Sequence, residues 1–494
     1  MRDRARAARR MAKPRQPTQA QALAAAEPAG GGAVARAASA RTRVPVLLAY
    51  GNLALPIAFL GYPLGLFLHP YYATELGLGL AAISTVLLIT RAFDFVTDPL
   101  IGWLSDRTKT RLGRRRPYIM LGVPITMLGV WKLFFPEPPV DIWYMLLWNT
   151  VMYFGWTMIT LPWGALGGEL SENYMDRARI MSVRQVFTIV GLIGSSAVIW
   201  LSQQYLGKER PADVLDTLGT IVLVSLPVCV LILAVIVPER QRRAASALPS
   251  LPRSLRSLLK VGPFRRIIYM ALAIVVGEAA RHAVAFFFIQ DILDAGDRIG
   301  LAYTGYFLFG VLAIPMWQRL AKRHGKHRAL AIAMINGSLT SLGTVALGPG
   351  DFTIFLVLFV VKGLSFGAFA YLPLAMIADV VDVDRAMHRQ ERAGLFFAFQ
   401  AAVDKVGMAV GLFLALQLLN LAGYDPQGVE TTAVGWIALR VEYAVLPGLF
   451  FALATAIIWN YPLTQARHEV LVARLARREA IAGNARAKAV GASR

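Results

Sequence analysis

The sequence predicts an all-α membrane protein of twelve transmembrane helices, built as two six-helix pseudo-repeats, and three observations predict it. Apolar stretches of roughly 17–25 residues recur along the chain, each long enough to cross a hydrocarbon core of about 30 Å. Of the 494 residues, 56% are hydrophobic and only 16% charged, where a soluble domain carries about a quarter. The basic residues gather in the tails and in alternate loops, the positive-inside pattern of a polytopic protein.

Residues 1–42 are rich in Arg, Ala, Gly and Gln and contain no apolar run. They read as a disordered basic cytoplasmic tail, with Met11 as an alternative start. Arg9-Arg10 is not followed by the apolar stretch that a twin-arginine signal needs. Spans are expected at roughly 44–69, 79–104, 117–135, 142–168, 180–203, 217–237, 264–290, 299–320, 328–347, 352–378, 392–421 and 437–461. With no water to satisfy the backbone, each must be helical. An even number puts both termini on one side, and the charge pattern makes that side the cytoplasm of a bacterial inner membrane.

The loop after span two carries Arg107, Lys109, Arg111, Arg114, Arg115 and Arg116, and the loop after span eight carries Lys322, Arg323, Lys326 and Arg328. The intervening loops at 136–141 and 348–351 have neither Lys nor Arg. So dispersed, the net charge of +21 is not the footprint of a nucleic-acid-binding face; contact with anionic lipid explains it. Residues 239–263, with Pro249, Pro252 and several Arg, form the longest internal loop, a cytoplasmic linker between bundles at 43–238 and 264–462. Residues 463–494 form a basic cytoplasmic tail. Cys229, the only cysteine, lies in an apolar span, reads as a small core residue and excludes an intrachain disulfide.

The halves read as weak parallel repeats. Leu161-Pro162 in span four is followed by Glu169, Arg177 and Arg179; Leu372-Pro373 in span ten is followed by Asp379, Asp382 and Arg385. Equivalent signals in equivalent spans suit a transporter with its site between two bundles.

The chemistry concentrates in span two. Arg91, Asp94 and Asp98 are three and four residues apart and share one helical face. An ionised side chain in mid-membrane costs roughly 2.5–3.5 kcal/mol on insertion scales, and this helix carries three. Two carboxylates one turn apart repel unless a proton or metal ion lies between them. The spacing points to a cation site; a buried Arg–Asp pair tying helices together is the structural alternative. Pro99, with no amide hydrogen, frees a carbonyl nearby.

The run from Arg91 through Asp98-Pro99-Leu100-Ile101-Gly102 resembles the second helix of the glycoside–pentoside–hexuronide:cation symporters, the melibiose permease-like branch of the major facilitator superfamily. Three further stretches fit: Gly102-Trp103-Leu104-Ser105-Asp106-Arg107 leading to Gly113-Arg114-Arg115-Arg116-Pro117; Ala378-Asp379-Val380-Val381-Asp382 with Arg392-Ala393-Gly394; and Asp404-Lys405-Val406-Gly407 with Ala409 and Gly411. The resemblance covers residues 45–460 and implies the superfamily fold and cation-coupled symport of a small sugar or sugar-like solute by alternating access. It implies Asp94 and Asp98 as acidic ligands of the cation, with Thr157 at a ligating threonine position. Thr97 stands where sodium-using members have asparagine, which leaves sodium against proton open. It also implies that Lys405 faces the central cavity and that Arg184 lies near the solute.

The departures bear on the solute. The span-one Lys-Asp pair of sugar-binding members is Ile57 and Ala58 here, and their span-four aspartate is Thr160. Carboxylates suit polyols, so their loss points to a solute that is less hydroxylated, anionic or partly apolar. Trp156, Trp163 and Gln400 are candidate lining residues; for the tryptophans, packing is the plainer role. In span seven, Glu278 and Arg281 are candidates for the solute pocket or gate, or a structural intrahelical pair. Arg91, Asp106, Arg107, Asp379 and Asp382 read as gating or helix-tethering residues. Same-fold alternatives are an amphipathic, lipid-like or organic-acid solute, or proton-driven export.

Enzymes are excluded by the lack of a metal, nucleophile or phosphate-binding arrangement. Gly363-Leu364-Ser365-Phe366-Gly367 matches an esterase pattern, but it lies inside an apolar helix, where small residues four apart favour close packing. His324 and His327 sit among Arg and Lys without acidic partners. The expected partners are a solute, a coupling Na⁺ or H⁺ and membrane lipid, with no nucleic acid, no cofactor and a functional monomer.

Overall fold

The computed structural model describes residues 41–239, 258–388 and 393–463, apart from 109, 172 and 429, together with 467 and 470. The N-terminal tail, most of the linker and the C-terminal tail lie outside the described residues, as do Lys109 and Arg392.

Each of the twelve expected spans is helical. They are α1 (Val44–Leu68), α2 (Leu80–Arg107), α3 (Arg116–Phe134), α4 (Ile142–Glu169), α5 (Tyr174–Leu206) and α6 (Pro211–Ile236). The second half holds α7 (Gly262–Ile292), α8 (Gly296–Leu312, then Ile314–His324 after a 44° bend), α9 (Lys326–Gly343), α10 (Phe352–Asp384), α11 (Ala393–Leu421) and α12 (Ala433–Trp459). Among the described residues nine helices are long and apolar enough to cross a membrane, and the bent α8 makes a tenth. α4 and α9 fill the two remaining expected positions with less apolar sequence.

Local chemistry sets the ends. Asp141 accepts a hydrogen bond from the amide of Tyr144 and starts α4, while Asn173 accepts from Met175 and Asp176 and starts α5, so donors without intrahelical partners are satisfied. α5 ends at Gly207 with φ +60°, a left-handed stop that glycine adopts without strain. Pro315 lies just past the bend of α8, where its missing amide hydrogen removes a helical bond. Val228, Leu231 and Val235 on α6 are exposed, the composition of a helix that meets lipid.

Within each half α3 packs on α4, α8 on α10, and α7 on α11 and α12. Gly363 shows how close α8 and α10 come: a β-carbon there would lie 2.5 Å from the Tyr306 carbonyl oxygen. The would-be esterase motif is thus a helix contact. Between the halves α5 packs on α8, and α2 on α11.

The two ends of the molecule are joined differently. At the near end, which carries Thr42 and Asn460, three ion pairs each lie within one half. Arg115 pairs with Asp106 (2.5 Å) and Glu169 (2.9 Å), and Lys326 with Asp379 (2.7 Å). At the far end the halves meet directly. Gln203 of α5 donates to the Gly296 carbonyl (3.0 Å) and accepts from the Gly300 amide (3.1 Å) of α8, both bonds buried. A β-carbon on Gly300 would lie 2.3 Å from the Trp200 backbone nitrogen, so the seam is backbone against backbone. Tyr62 on Tyr303 and Phe67 on Phe286 extend it as edge-to-face ring pairs. A cavity of about 510 Å³ lies at this end, with Glu75, Glu209 and Arg210 from one half and Asp291 and Asp297 from the other in its wall.

Candidate functional site

The acidic face of α2 is held between α4 and α11. Arg91 donates to Asp94 (3.1 Å) and to the Tyr153 hydroxyl (2.9 Å), with its guanidinium 4.1 Å from the centre of the Tyr153 ring. Tyr153 therefore fixes the arginine from the α4 side. One oxygen of Asp94 is buried without a hydrogen-bond partner among the described residues, and the side chain is 5% exposed. Asp98 accepts from the Thr157 hydroxyl of α4 (3.1 Å) and pairs with Lys405 of α11, which belongs to the other half.

The acids thus do not share an unneutralised gap: Asp94 has Arg91, and Asp98 has Lys405. The group is not sealed, because the Asp98 side chain is 19% and that of Lys405 41% exposed. A charge in such a position can exchange its partner. Thr97 is buried, and its hydroxyl donates to the Phe93 carbonyl (3.3 Å), while Thr157 is turned to Asp98. Gln400 donates to Asp404 (2.7 Å), so Asp404 and its neighbour Lys405 have different partners.

The candidate solute residues fall into two groups. Trp163 is fully buried, donates its indole N–H to the Tyr50 carbonyl (3.0 Å) and carries the Arg184 guanidinium 4.1 Å above its ring. It is a packing residue that orients Arg184, a role in which the ring face attracts the cation. Trp156 and Thr160 are half-buried on α4; Thr160 donates to the Trp156 carbonyl (2.9 Å) and Trp156 lies against Tyr153. Glu278 and Arg281 lie elsewhere, in a buried cluster of the second half. Arg281 binds Glu278 through two donors (2.6 and 3.1 Å), and Lys362 of α10 approaches the other carboxylate oxygen to 3.0 Å.

The remaining residues are at the near end. Asp106 and Asp379 hold the ion pairs given above, Arg107 covers the Trp103 ring at 4.3 Å, and Asp382 is half-buried in α10. Tyr153, Lys362 as the partner of Glu278, and the Gln203–Gly300 seam were missed by sequence reasoning. An ionisable Lys362 inside an apolar run was a visible signal; for Tyr153 and Gln203 no signal exists without the helix packing.

The model of the family described as MFS/sugar transport protein matches residues 49–465. The chain is 25% identical to the glucuronide carrier protein homolog of Escherichia coli, over 84% of this chain and 92% of that one. It is 24% identical to the sodium-dependent lysophosphatidylcholine symporter 1 of Mus musculus, over 85% and 86% respectively. In fold it is similar to a bacterial homologue of the lysosomal transporter Spinster, in its inward-facing and occupied form, with a TM-score of 0.61 at 13% identity over 86% of this chain and 97% of that one. A helical membrane protein with paired halves, a charged site between them and a family match along nearly its whole described length, this chain belongs to the MFS/sugar transport family, in the glycoside–pentoside–hexuronide:cation symporter branch of the major facilitator superfamily, and is a transporter and not an enzyme.

Proposed function

We propose that the protein is a cation-coupled symporter of a small, sugar-like solute in a bacterial inner membrane, with all twelve helices crossing the bilayer and both termini in the cytoplasm. The observation that carries the coupling is Asp98, shared between Thr157 of its own half and Lys405 of the other. With Arg91, Asp94, Asp98 and Lys405 ionised, the empty site sums to zero charge. An incoming Na⁺ or H⁺ on Asp98 and Asp94 displaces Lys405 and raises the sum to +1, which is costly in a low dielectric. A solute that gives Lys405 an acceptor lowers that cost. Cation and solute then raise each other's affinity by the same factor, as linkage requires.

Residues 43–238 and 264–462 are the two bundles that rock about this site, joined by the 239–263 linker. The direct contacts between the halves at the far end support a conformer open toward the cytoplasm. Arg184, oriented by Trp163, stands ready for a negatively charged or electron-rich solute group, where the sugar-binding members' Lys-Asp pair and span-four aspartate are replaced by Ile57, Ala58 and Thr160. The glucuronide carrier relative supports a sugar acid; the lysophosphatidylcholine symporter supports a second reading, an amphipathic solute with a charged headgroup.

The test is counterflow and gradient-driven uptake in proteoliposomes, with sugars, sugar acids and lysolipids at varied Na⁺ and pH. The expected result is uphill uptake of one class that needs a cation gradient. Uptake that ignores both gradients, for every solute transported, defeats the coupling.

A further inference from the structure

The cluster around Arg281 is charged differently from the α2 site. Among the described residues Glu278 is the one carboxylate ion-paired with either Arg281 or Lys362. Two cations thus share one anion, and the ionised cluster carries +1. It is also deeply placed: Arg281 is 1% and Lys362 4% exposed. An uncompensated charge at such depth costs several kcal/mol.

A small cavity opens beside the two cations, with room for about one water-sized body. Arg281, Lys362, Tyr443, Thr340, Ser341 and Thr344 line it together with apolar side chains, and among the described residues no carboxylate does. Its donors are in surplus. Nη1 of Arg281 and the Tyr443 hydroxyl are buried near each other, and neither makes a hydrogen bond of good geometry among the described residues. Ser341 accepts from Lys362 (2.9 Å), which leaves its own proton to give. Thr340 and Thr344 spend theirs on the carbonyls of Asn336 and Ser341. A water molecule there finds acceptors for its protons only in the hydroxyl oxygens of the wall, and it leaves the charge of the two cations unanswered, whereas an anion accepts from every side and answers it. The excess charge and the excess donors ask for the same occupant.

We propose that this cavity is a binding site for one halide-sized anion, chloride in the cell, held by Arg281, Lys362, Ser341 and Tyr443. The site is distinct from the solute and cation positions on α2, α4 and α11, and its occupancy neutralises the packing of α7, α9, α10 and α12.

The test needs no solute. The purified full-length protein in lipid nanodiscs is melted in sodium chloride, sodium bromide and sodium gluconate at equal ionic strength. Chloride and bromide are expected to raise Tm over gluconate by about 3–5 °C, saturably. Lys362→Met, which leaves the neutral Glu278–Arg281 pair, is expected to abolish the halide response. A bromide-soaked crystal is expected to show an anomalous peak between Arg281 and Tyr443. Equal melting in all three salts overturns the site and leaves water or an uncharged Lys362 in its place. A halide response that survives Lys362→Met, or an anomalous peak elsewhere only, overturns it as well. Because the readouts are binding and stability, a failure here is separate from any failure of symport.

Discussion

The α2 site and the Arg281 cluster are both groups of ionised side chains inside a membrane protein, yet they differ in balance, access and parentage. The first is balanced, partly open and divided between the halves, since Lys405 comes from α11 and Asp98 from α2. The second is unbalanced, enclosed and confined to one half, with Glu278 between two cations. A charge that must change partners during a cycle has to be reachable and its partners separable. One that fixes helices has to be neither. On the proposed function, exposure and parentage of the partners, more than the number of charges, separate a coupling site from a scaffold.

Glu278→Gln should break the scaffold with the largest effect. Two buried cations lose their only described counter-charge, and the loss of a buried partner costs about 3–5 kcal/mol; folded yield and Tm, read by fluorescence-detected chromatography, should collapse. Asp98→Asn should leave folding intact, because its surroundings are partly exposed, but lower cation-driven accumulation about 10–100-fold. Normal accumulation in that variant would merge the two clusters into one structural class.

Gln203→Leu removes both seam hydrogen bonds, each worth about 0.5–1.5 kcal/mol. In a Cys229→Ala background, spin labels at Glu209 and Asp297 should report a far-end-open population raised about 5–10-fold. An unchanged distance distribution would reduce the seam to ring packing. The smallest effect is expected for Arg184→Lys, which keeps the charge but loses the flat stack on Trp163. KM should rise about 2–5-fold, with the maximal rate nearly unchanged.

The fold was legible because bilayer thickness writes itself into the length of apolar runs. Edges were less so: α5 starts at Tyr174 and α6 at Pro211, ahead of the expected 180 and 217, because polar residues such as Asp176 and Asp213 continue a helix beyond its apolar stretch. The α2 triad was legible from spacing alone, as helix geometry puts Arg91, Asp94 and Asp98 on one face. The partner from the other half was not. Lys405 meets Asp98 from 307 positions away, and only helix packing brings α11 there. Two mutually repelling acids are what α2 shows in isolation; Lys405, beside Asp98, comes from the other half.

The charge balance of the α2 site also has an electrical consequence. On the proposed coupling, a neutral vacant centre returns without moving charge, so with one cation per solute the loaded step carries one elementary charge when the solute is uncharged and none when it is a monoanion. The membrane voltage, worth about 2.3 kcal/mol per charge per 100 mV, would drive the first process and leave the second untouched. A current recorded on a solid-supported membrane would therefore read the charge of the transported molecule directly.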